Sequence, residues 1–274
     1  MNAIKWSGSK RSQAKAILQH FPQKINTYYE PFCGGASVFY ALVKSDISVE
    51  KYVLSDINSD LINLYETIKI APDELCQHYE GLWKELNKDE DCKRKKQYFT
   101  KVRTRFNMER DPKDFMFIMR TTTNGMPRYN RRGEFNNSFH VTRDGISPYK
   151  LEKVVFEWSN MLKNVDVRVC DYRDIAPSIK EFLYLDPPYA NTKGMYYGNI
   201  NHNELWEYLS NVTCGWALSF NGIVGDENNT QMLPHIYDEH FYLKSGNSSF
   251  RRIITGDRNA LVYESLYVKH GGYE

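Results

Sequence analysis

The sequence predicts an α/β fold interrupted by a mainly helical insertion that carries a β-hairpin. Three observations lead there. Before residue 60 and again after residue 150, short apolar runs end in polar or acidic residues and give way to helix-like stretches, the alternation that builds parallel sheets. Between them Leu61, Ile62, Leu64, Tyr65 and Ile68 recur at helical spacing, and further helical patterns follow to about Arg120. The third observation is a polar stretch, Thr121 to His140, with Asn-Gly and Arg-Gly turn signals and little apolar material. The expected division is 1–59 with 150–274 for the sheet domain and 60–149 for the insertion.

The first strand is expected over Asn26–Tyr29, leading into Glu30-Pro31-Phe32-Cys33-Gly34-Gly35-Ala36-Ser37 and a helix from Val38. Strand, glycine turn and helix begin a nucleotide-binding βα unit, because glycine lets the backbone approach a ligand that a Cβ would exclude. Neither G-x-G-x-x-G nor G-x-x-x-x-G-K-[ST] occurs, so a cationic or zwitterionic ligand suits this turn better than a dinucleotide or triphosphate. A second strand, Lys51–Leu54, delivers Asp56. That acid lies about 20 residues past the glycine turn, the offset at which an acid reaches ribose hydroxyls; capping the next helix is its other possible role. Ahead of both, a helix is expected from Gln13 to His20, preceded by the loop Lys5-Trp6-Ser7-Gly8-Ser9-Lys10.

The insertion opens with helices near Ser59, at Pro72-Asp73-Glu74 and at Asp111-Pro112, where proline and acids suit a first helical turn. Its third helix, Lys93–Phe106, bears Lys93, Arg94, Lys95, Lys96, Lys101, Arg103 and Arg105. A solvated face is the expected role, with a phosphate-gripping edge as the competing one. The hairpin that follows contains Arg128, Asn130, Arg131 and Asn136, and Arg with guanine and Asn with adenine are common base-edge pairs. A nucleic-acid-reading hairpin is therefore expected.

After a helix near Leu151–Leu162, strand Val165–Val169 delivers Cys170-Asp171-Tyr172. The apolar run Leu183-Tyr184-Leu185 then stops at Asp186-Pro187-Pro188-Tyr189. Two prolines remove two N–H donors and leave a carboxylate, bare carbonyls and an aromatic ring at a strand's carboxyl end. Such a turn suits an exocyclic amino group on a flat base, with acceptors for the NH2 and Tyr189 for stacking. A helix over Asn203–Leu209, a strand over Trp216–Phe220 with Asn221-Gly222 beyond it, and an antiparallel pair at Phe241–Leu243 and Val262–Val268 complete the chain.

The totals narrow the classes. A length of 274 residues allows one large domain or two smaller ones. A net charge of +2 is too small to identify a polyanionic partner, so any basic footprint is local. Five scattered cysteines without C-x-x-C spacing read as reduced thiols, and no metal is expected. Without a leader-like N-terminus or an apolar run of membrane length, a soluble, cytoplasmic chain is expected, a monomer or weak dimer with no membrane partner.

In their linear order these residues resemble the Dam-type (D12 class) DNA adenine-N6 methyltransferases. The resemblance runs through Lys5-Trp6-x-Gly8-x-Lys10, Glu30-Pro31-Phe32-x-Gly34 and Asp56-Ile57-Asn58-Ser59-Asp60-Leu61-Ile62. It continues through Asn124-Gly125-x-x-Arg128-Tyr129-Asn130-x-x-Gly133-Glu134-Phe135-Asn136 and closes on Asp186-Pro187-Pro188-Tyr189. It implies a Rossmann-like S-adenosylmethionine-dependent methyltransferase domain with an inserted target-recognition domain, and double-stranded DNA as partner. Residue by residue it implies a cofactor site lined by Trp6, Lys10, Glu30, Phe32, Gly34, Gly35, Asp56, Asp171, Tyr172 and Asp186. Catalysis would fall to Asp186, Pro187, Pro188 and Tyr189, and DNA contact to Asn124, Met126, Arg128, Asn130, Arg131 and Asn136, with Arg128 reading a guanine. Thr123 and the segment Asn136-Asn137-Ser138-Phe139-His140 depart from the family pattern, which bears on whether the target is GATC and leaves the chemistry untouched.

The expected chemistry takes adenine out of the duplex, because N6 cannot be reached within the stack. The base stacks on Tyr189 while Asp186 and a proline-turn carbonyl accept the N6 hydrogens. The competing classes are amino-methylation of RNA or a small molecule, and non-catalytic DNA binding on the same scaffold. Methyl incorporation into duplex DNA separates them.

Overall fold

The computed structural model describes residues 2–123, 125, 127–189, 200–231, 236–245 and 261–272. In chain order it begins with α1 (Ala14–Leu18), β1 (Lys24–Glu30), α2 (Ser37–Leu42) and β2 (Ser48–Asp56). Five helices follow: α3 (Ser59–Ile70), α4 (Pro72–Leu86), α5 (Cys92–Glu109), α6 (Pro112–Thr121) and α7 (Pro148–Leu162). Then come β3 (Val165–Val169), a short 3-10 turn at Tyr172–Asp174, β4 (Phe182–Leu185), α8 (His202–Asn211) and β5 (Gly215–Val224). The last described elements are β6 (Glu227–Asn228), β7 (Glu239–Ser245) and β8 (Val262–Lys269). The chain divides into two compact units, one holding the residues up to Gly8 with Ile57–Val169, the other Ser9–Asp56 and most of the chain from Cys170. Residues 150–169, grouped with the sheet domain in the sequence expectation, fall by compactness in the first unit.

In the second unit the strands lie in the order β2-β1-β4-β5-β8-β7. Pairing is parallel from β2 through β5 and antiparallel for β5–β8 and β8–β7. All four residues of β4 are buried, as a central parallel strand covered on both faces requires. The chain leaves β1 toward β2 on one side and has β4 on the other, so β1 and β4 flank the point where the winding reverses. Ligands of doubly wound sheets bind beyond the carboxyl ends of the strands at that point. Here those ends are Glu30 and Leu185, with Asp186 the next residue.

Two sequence expectations change in this unit. The helix expected over Gln13–His20 shortens to the single turn and a half of α1. β5 does not end at Phe220: it passes through a bulge at Asn221-Gly222 and continues to Val224. A Cβ at Gly222 would stand 2.2 Å from the Tyr263 carbonyl oxygen, so only glycine lets the two backbones meet there.

The first unit packs α3, α4, α6 and α7 around Leu61, Leu64, Ile68, Phe115, Phe117 and Trp158, all fully buried. Each such side chain contributes about 1.5–3 kcal/mol by leaving water. Asn58, not Asp56, caps α3, its side chain accepting from Leu61 N at 3.2 Å. Prolines open α4, α6 and α7, and Asp91 and Asp111 cap α5 and α6. α5 is not simply a solvated basic face. Lys95 is buried between Glu90 at 3.0 Å and Asp144 at 2.9 Å, and Arg105 forks onto the fully buried Asp114 at 2.6 and 2.5 Å. Lys93, Lys96 and Lys101 stay exposed.

Candidate active site

β4 places Asp186 directly after its last buried residue, and the prolines that follow prevent the ladder from continuing. The Lys10 ammonium stands 2.8 Å from Asp186 Oδ1 and 3.4 Å from Glu264 Oε2. It also lies 5.0 Å from the centre of the Tyr189 ring. The Tyr189 hydroxyl donates to Asp186 Oδ1 at 3.3 Å, so this bond and the ion pair share one oxygen. The Tyr189 ring is set by Phe220 of β5, whose centroid is 5.6 Å away. Burial alone would depress Lys10, but Asp186 and then Glu264 raise it above its ordinary value, so it is held protonated. Burial lifts the Asp186 carboxyl above the usual range; Lys10 opposes that shift and Glu264 adds to it.

Glu264 is the residue that sequence reading passed over. It stands in the inward row of β8 with Val262, Leu266 and Val268, all buried. An acid in an apolar row is itself a signal, because a buried charge persists only when paired. Its Oε1 accepts from Ser245 Oγ of β7 at 3.3 Å.

The turn after β1 is backbone-strained. Phe32 (φ 59°) and Ala36 (φ 43°) are left-handed without being glycine, and Gly34 between them has φ 48°. Such conformations cost about 1–3 kcal/mol each and concentrate at ligand sites. Gly34 N donates to Asp56 Oδ2 at 3.3 Å, and Cys33 N to Ser55 O at 3.0 Å, so the turn is fastened to the end of β2. Cys170 N donates to Asp56 O at 3.2 Å, which brings Asp171 and Tyr172 to the same strand end. The Phe32 and Tyr172 rings lie 5.3 Å apart and tilted by 36°. Asp171 is not a bare acceptor: Arg173 holds it through Nε at 3.0 Å and Nη2 at 2.9 Å and keeps its carboxyl below the ordinary range. Glu30 points inward, taking the Tyr28 hydroxyl at 2.6 Å and Phe39 N at 2.8 Å on one oxygen. Burial pushes it up to about 8. Its bonds are those of a brace beneath the turn.

The hairpin belongs to the first unit, and its arms meet through antiparallel bridges Thr122–Phe139 and Tyr129–Phe135. Phe135 anchors it, edge-on to Phe106 at 6.1 Å and Phe115 at 6.2 Å. The Tyr129 hydroxyl donates to Asp60 Oδ2 at 2.6 Å, and Arg110 joins Asp60 at 3.0 Å to the Gly133 carbonyl at 2.5 Å. Arg128, Asn130, Arg131 and Asn136 are exposed. Asn130 is also occupied: its oxygen accepts from Arg132 N and Glu134 N, and its amide donates to Glu134 at 2.7 Å. Buried Asn137 accepts from Arg128 N at 2.9 Å and Nε at 3.4 Å, and its carbonyl takes Arg103 at 2.8 Å. Trp6 is half-buried in the same unit, next to Ser7, whose N donates to Gly125 O at 2.9 Å. Asn124 and Met126 lie outside the described residues.

A strained glycine turn and a carboxylate at the reversal of a mostly parallel, doubly wound sheet are the arrangement of a Rossmann-like methyltransferase. The family comparison is more specific. The model of the D12 class N6 adenine-specific DNA methyltransferases matches residues 6–243, and the chain belongs to this family, whose reaction is methylation of adenine N6 at specific sites in DNA. It is 33% identical over 207 residues to the type II methyltransferase M.MjaIII of Methanocaldococcus jannaschii, 68% of either chain. It is 32% identical over 194 residues to the DNA adenine methylase of Serratia marcescens, and 34% over 194 residues to that of Escherichia coli (strain K12). These two alignments cover 68% of this chain and 66% and 64% of the relatives, so the match spans about two thirds of their length. Among the described residues no helix is long and apolar enough to cross a membrane, and no cluster of His, Cys, Asp and Glu could hold a metal ion.

Proposed function

We propose that this protein transfers a methyl group from S-adenosylmethionine to N6 of an adenine rotated out of a short duplex DNA site, with Asp186 receiving the amino group. The observation that carries this reading is Asp186 itself: a carboxylate at the carboxyl end of β4, beside the winding reversal, followed by two residues without N–H donors. The donor set suits that cofactor. Asp56 at the end of β2 is placed for ribose hydroxyls, Phe32 and Tyr172 for the adenine ring, and the Gly34-Gly35 backbone for close approach. Lys10 and Glu30 complete this side, Asp171 supports it through its backbone, and Trp6 is kept as a cofactor residue on sequence grounds. Bound there, S-adenosylmethionine supplies an electrophilic methyl on a cationic sulfur.

The residues of the chain supply placement and electrostatics. Tyr189 stacks on the base. Asp186 Oδ2 and the Pro187 carbonyl accept the two N6 hydrogens, which turns the nitrogen lone pair out of conjugation and toward the methyl. Lys10 keeps Asp186 in its acceptor form. When N6 takes the methyl it becomes cationic, and Asp186 then receives the surplus proton. Arg128, supported by Arg131 and Asn136, reads base edges from the hairpin.

The test is transfer of labelled methyl to duplex DNA, with sequencing that locates N6-methyladenine and its motif, and RNA as the control substrate. The expected result is methylation of duplex DNA at one short motif, reduced at least about 100-fold by Asp186→Ala. A folded Asp186→Ala enzyme with a near wild-type rate would falsify the assignment of Asp186. Incorporation into RNA alone would replace the substrate.

A further inference from the structure

The reading of Asp186 leaves Glu264 without a task. Lys10 is 6% exposed and Glu264 8% by side chain, and they meet Asp186 inside the second unit. Among the described residues, two carboxylates around one ammonium leave one net negative charge. If Lys10 served only to hold Asp186, the second carboxylate would cost desolvation without return. We propose that Glu264 is a positioning residue for the methyl transfer: it draws Lys10 off full neutralisation of Asp186 and keeps Asp186 a strong acceptor for the target amino group. This rests on the proposed role of Asp186 and adds the residue that tunes it.

The geometry supports the division of labour. Lys10 is closer to Asp186, at 2.8 Å, than to Glu264, at 3.4 Å, so the ammonium is shared and not surrendered. Glu264 is fixed from behind by Ser245 at 3.3 Å on its other oxygen. A carboxylate fully neutralised by a lysine at contact distance accepts a neutral N–H weakly and takes up a proton reluctantly. The reaction moves positive charge onto N6: the nitrogen lone pair forms the new C–N bond, the electrons of the broken S–C bond stay on sulfur, and the surplus N6 proton passes to Asp186. A net negative site favours each of these changes. Among the described residues the titratable groups acting on Asp186 are Lys10, Glu264 and Tyr189, and Asp186 in turn raises Tyr184 of β4 and Glu30 of β1. Of these, Glu264 pushes Asp186 in the direction of a stronger proton acceptor.

The test is Glu264→Gln, which keeps the shape and the Ser245 contact and removes the charge. In the ligand-free enzyme labelled with 13C-carboxyl aspartate, the Asp186 resonance, assigned by its loss in Asp186→Asn, should titrate at lower pH in Glu264→Gln. In the loaded enzyme kcat should fall roughly tenfold, one pKa unit of acceptor strength being a factor of ten. KM for DNA should stay unchanged, and Glu264→Asp should restore part of kcat. A folded Glu264→Gln enzyme whose Asp186 titration and kcat both match the wild type overturns the proposal. If Glu264→Gln does not fold, Glu264→Asp decides: withdrawing the carboxylate by one methylene should lower both the Asp186 titration and kcat, and wild-type values in both overturn the proposal. If Asp186→Ala itself retains activity, the failure belongs to the reading of Asp186 and not to Glu264.

Discussion

Asn137 holds Arg128 by two of its donors, the backbone N–H and Nε, from a buried position in the hairpin. An arginine that reads a base edge must present its fork in one orientation, and side-chain freedom counts against it. Arg128→Ala should cost about 1–3 kcal/mol at one base pair of the target and relax discrimination there. Asn137→Ala should reproduce part of that loss, about 1 kcal/mol, by releasing the arginine. Methylation rates on the target duplex and on single-substituted duplexes measure both. Equal losses on every duplex would make Arg128 a phosphate contact. Asn130, read from sequence as a base-reading amide, is already bonded on both sides within its own turn. Its replacement by alanine should therefore loosen the hairpin before it changes the base preference.

At the scale of elements, β1 carries a pH-dependent strain. Burial raises Glu30 to about 8, above its unfolded value, so the neutral form is the one that suits the fold. The associated stability is complete below the unfolded value and is lost as pH rises through about 8. Glu30→Gln can still accept from Tyr28 and Phe39, so its melting temperature should flatten across that window while the wild type declines. Parallel melting curves would show Glu30 to be ionised at little cost. The strand ends were legible because an acid after an apolar run is a local signal, as at Asp56, Asp171 and Asp186. The partners of the α5 cations were not, because Lys95 and Arg105 find the carboxylates of Asp144 and Asp114, and Arg103 the Asn137 carbonyl, across loops and helices. The length of β5 was missed for a different reason: Asn-Gly is a turn signal, and here it makes a bulge whose partner is Tyr263. Glu264 was visible as an acid in an apolar row, but its meaning needed Lys10, which only the fold supplies.

For the whole molecule, a net charge of +2 means that attraction to DNA is a local matter. Lys93, Lys96 and Lys101 are the exposed lysines of α5. Replacing them with alanine should lower the slope of binding against salt by about 0.9 for each phosphate no longer neutralised, with the target motif unchanged. A slope that does not move removes α5 from the DNA interface. The Lys10–Glu264 pair has a consequence of another kind. Nearly the whole sequence lies between its two members, so the pair is the product of one very large loop closure. During synthesis the chain emerges N-terminus first, and early segments fold while later ones are still being made. Lys10 and Asp186 can therefore meet on the ribosome well before Glu264 arrives with β8. On the proposed reading, Asp186 gains its second carboxylate neighbour only when β8 docks beside β5.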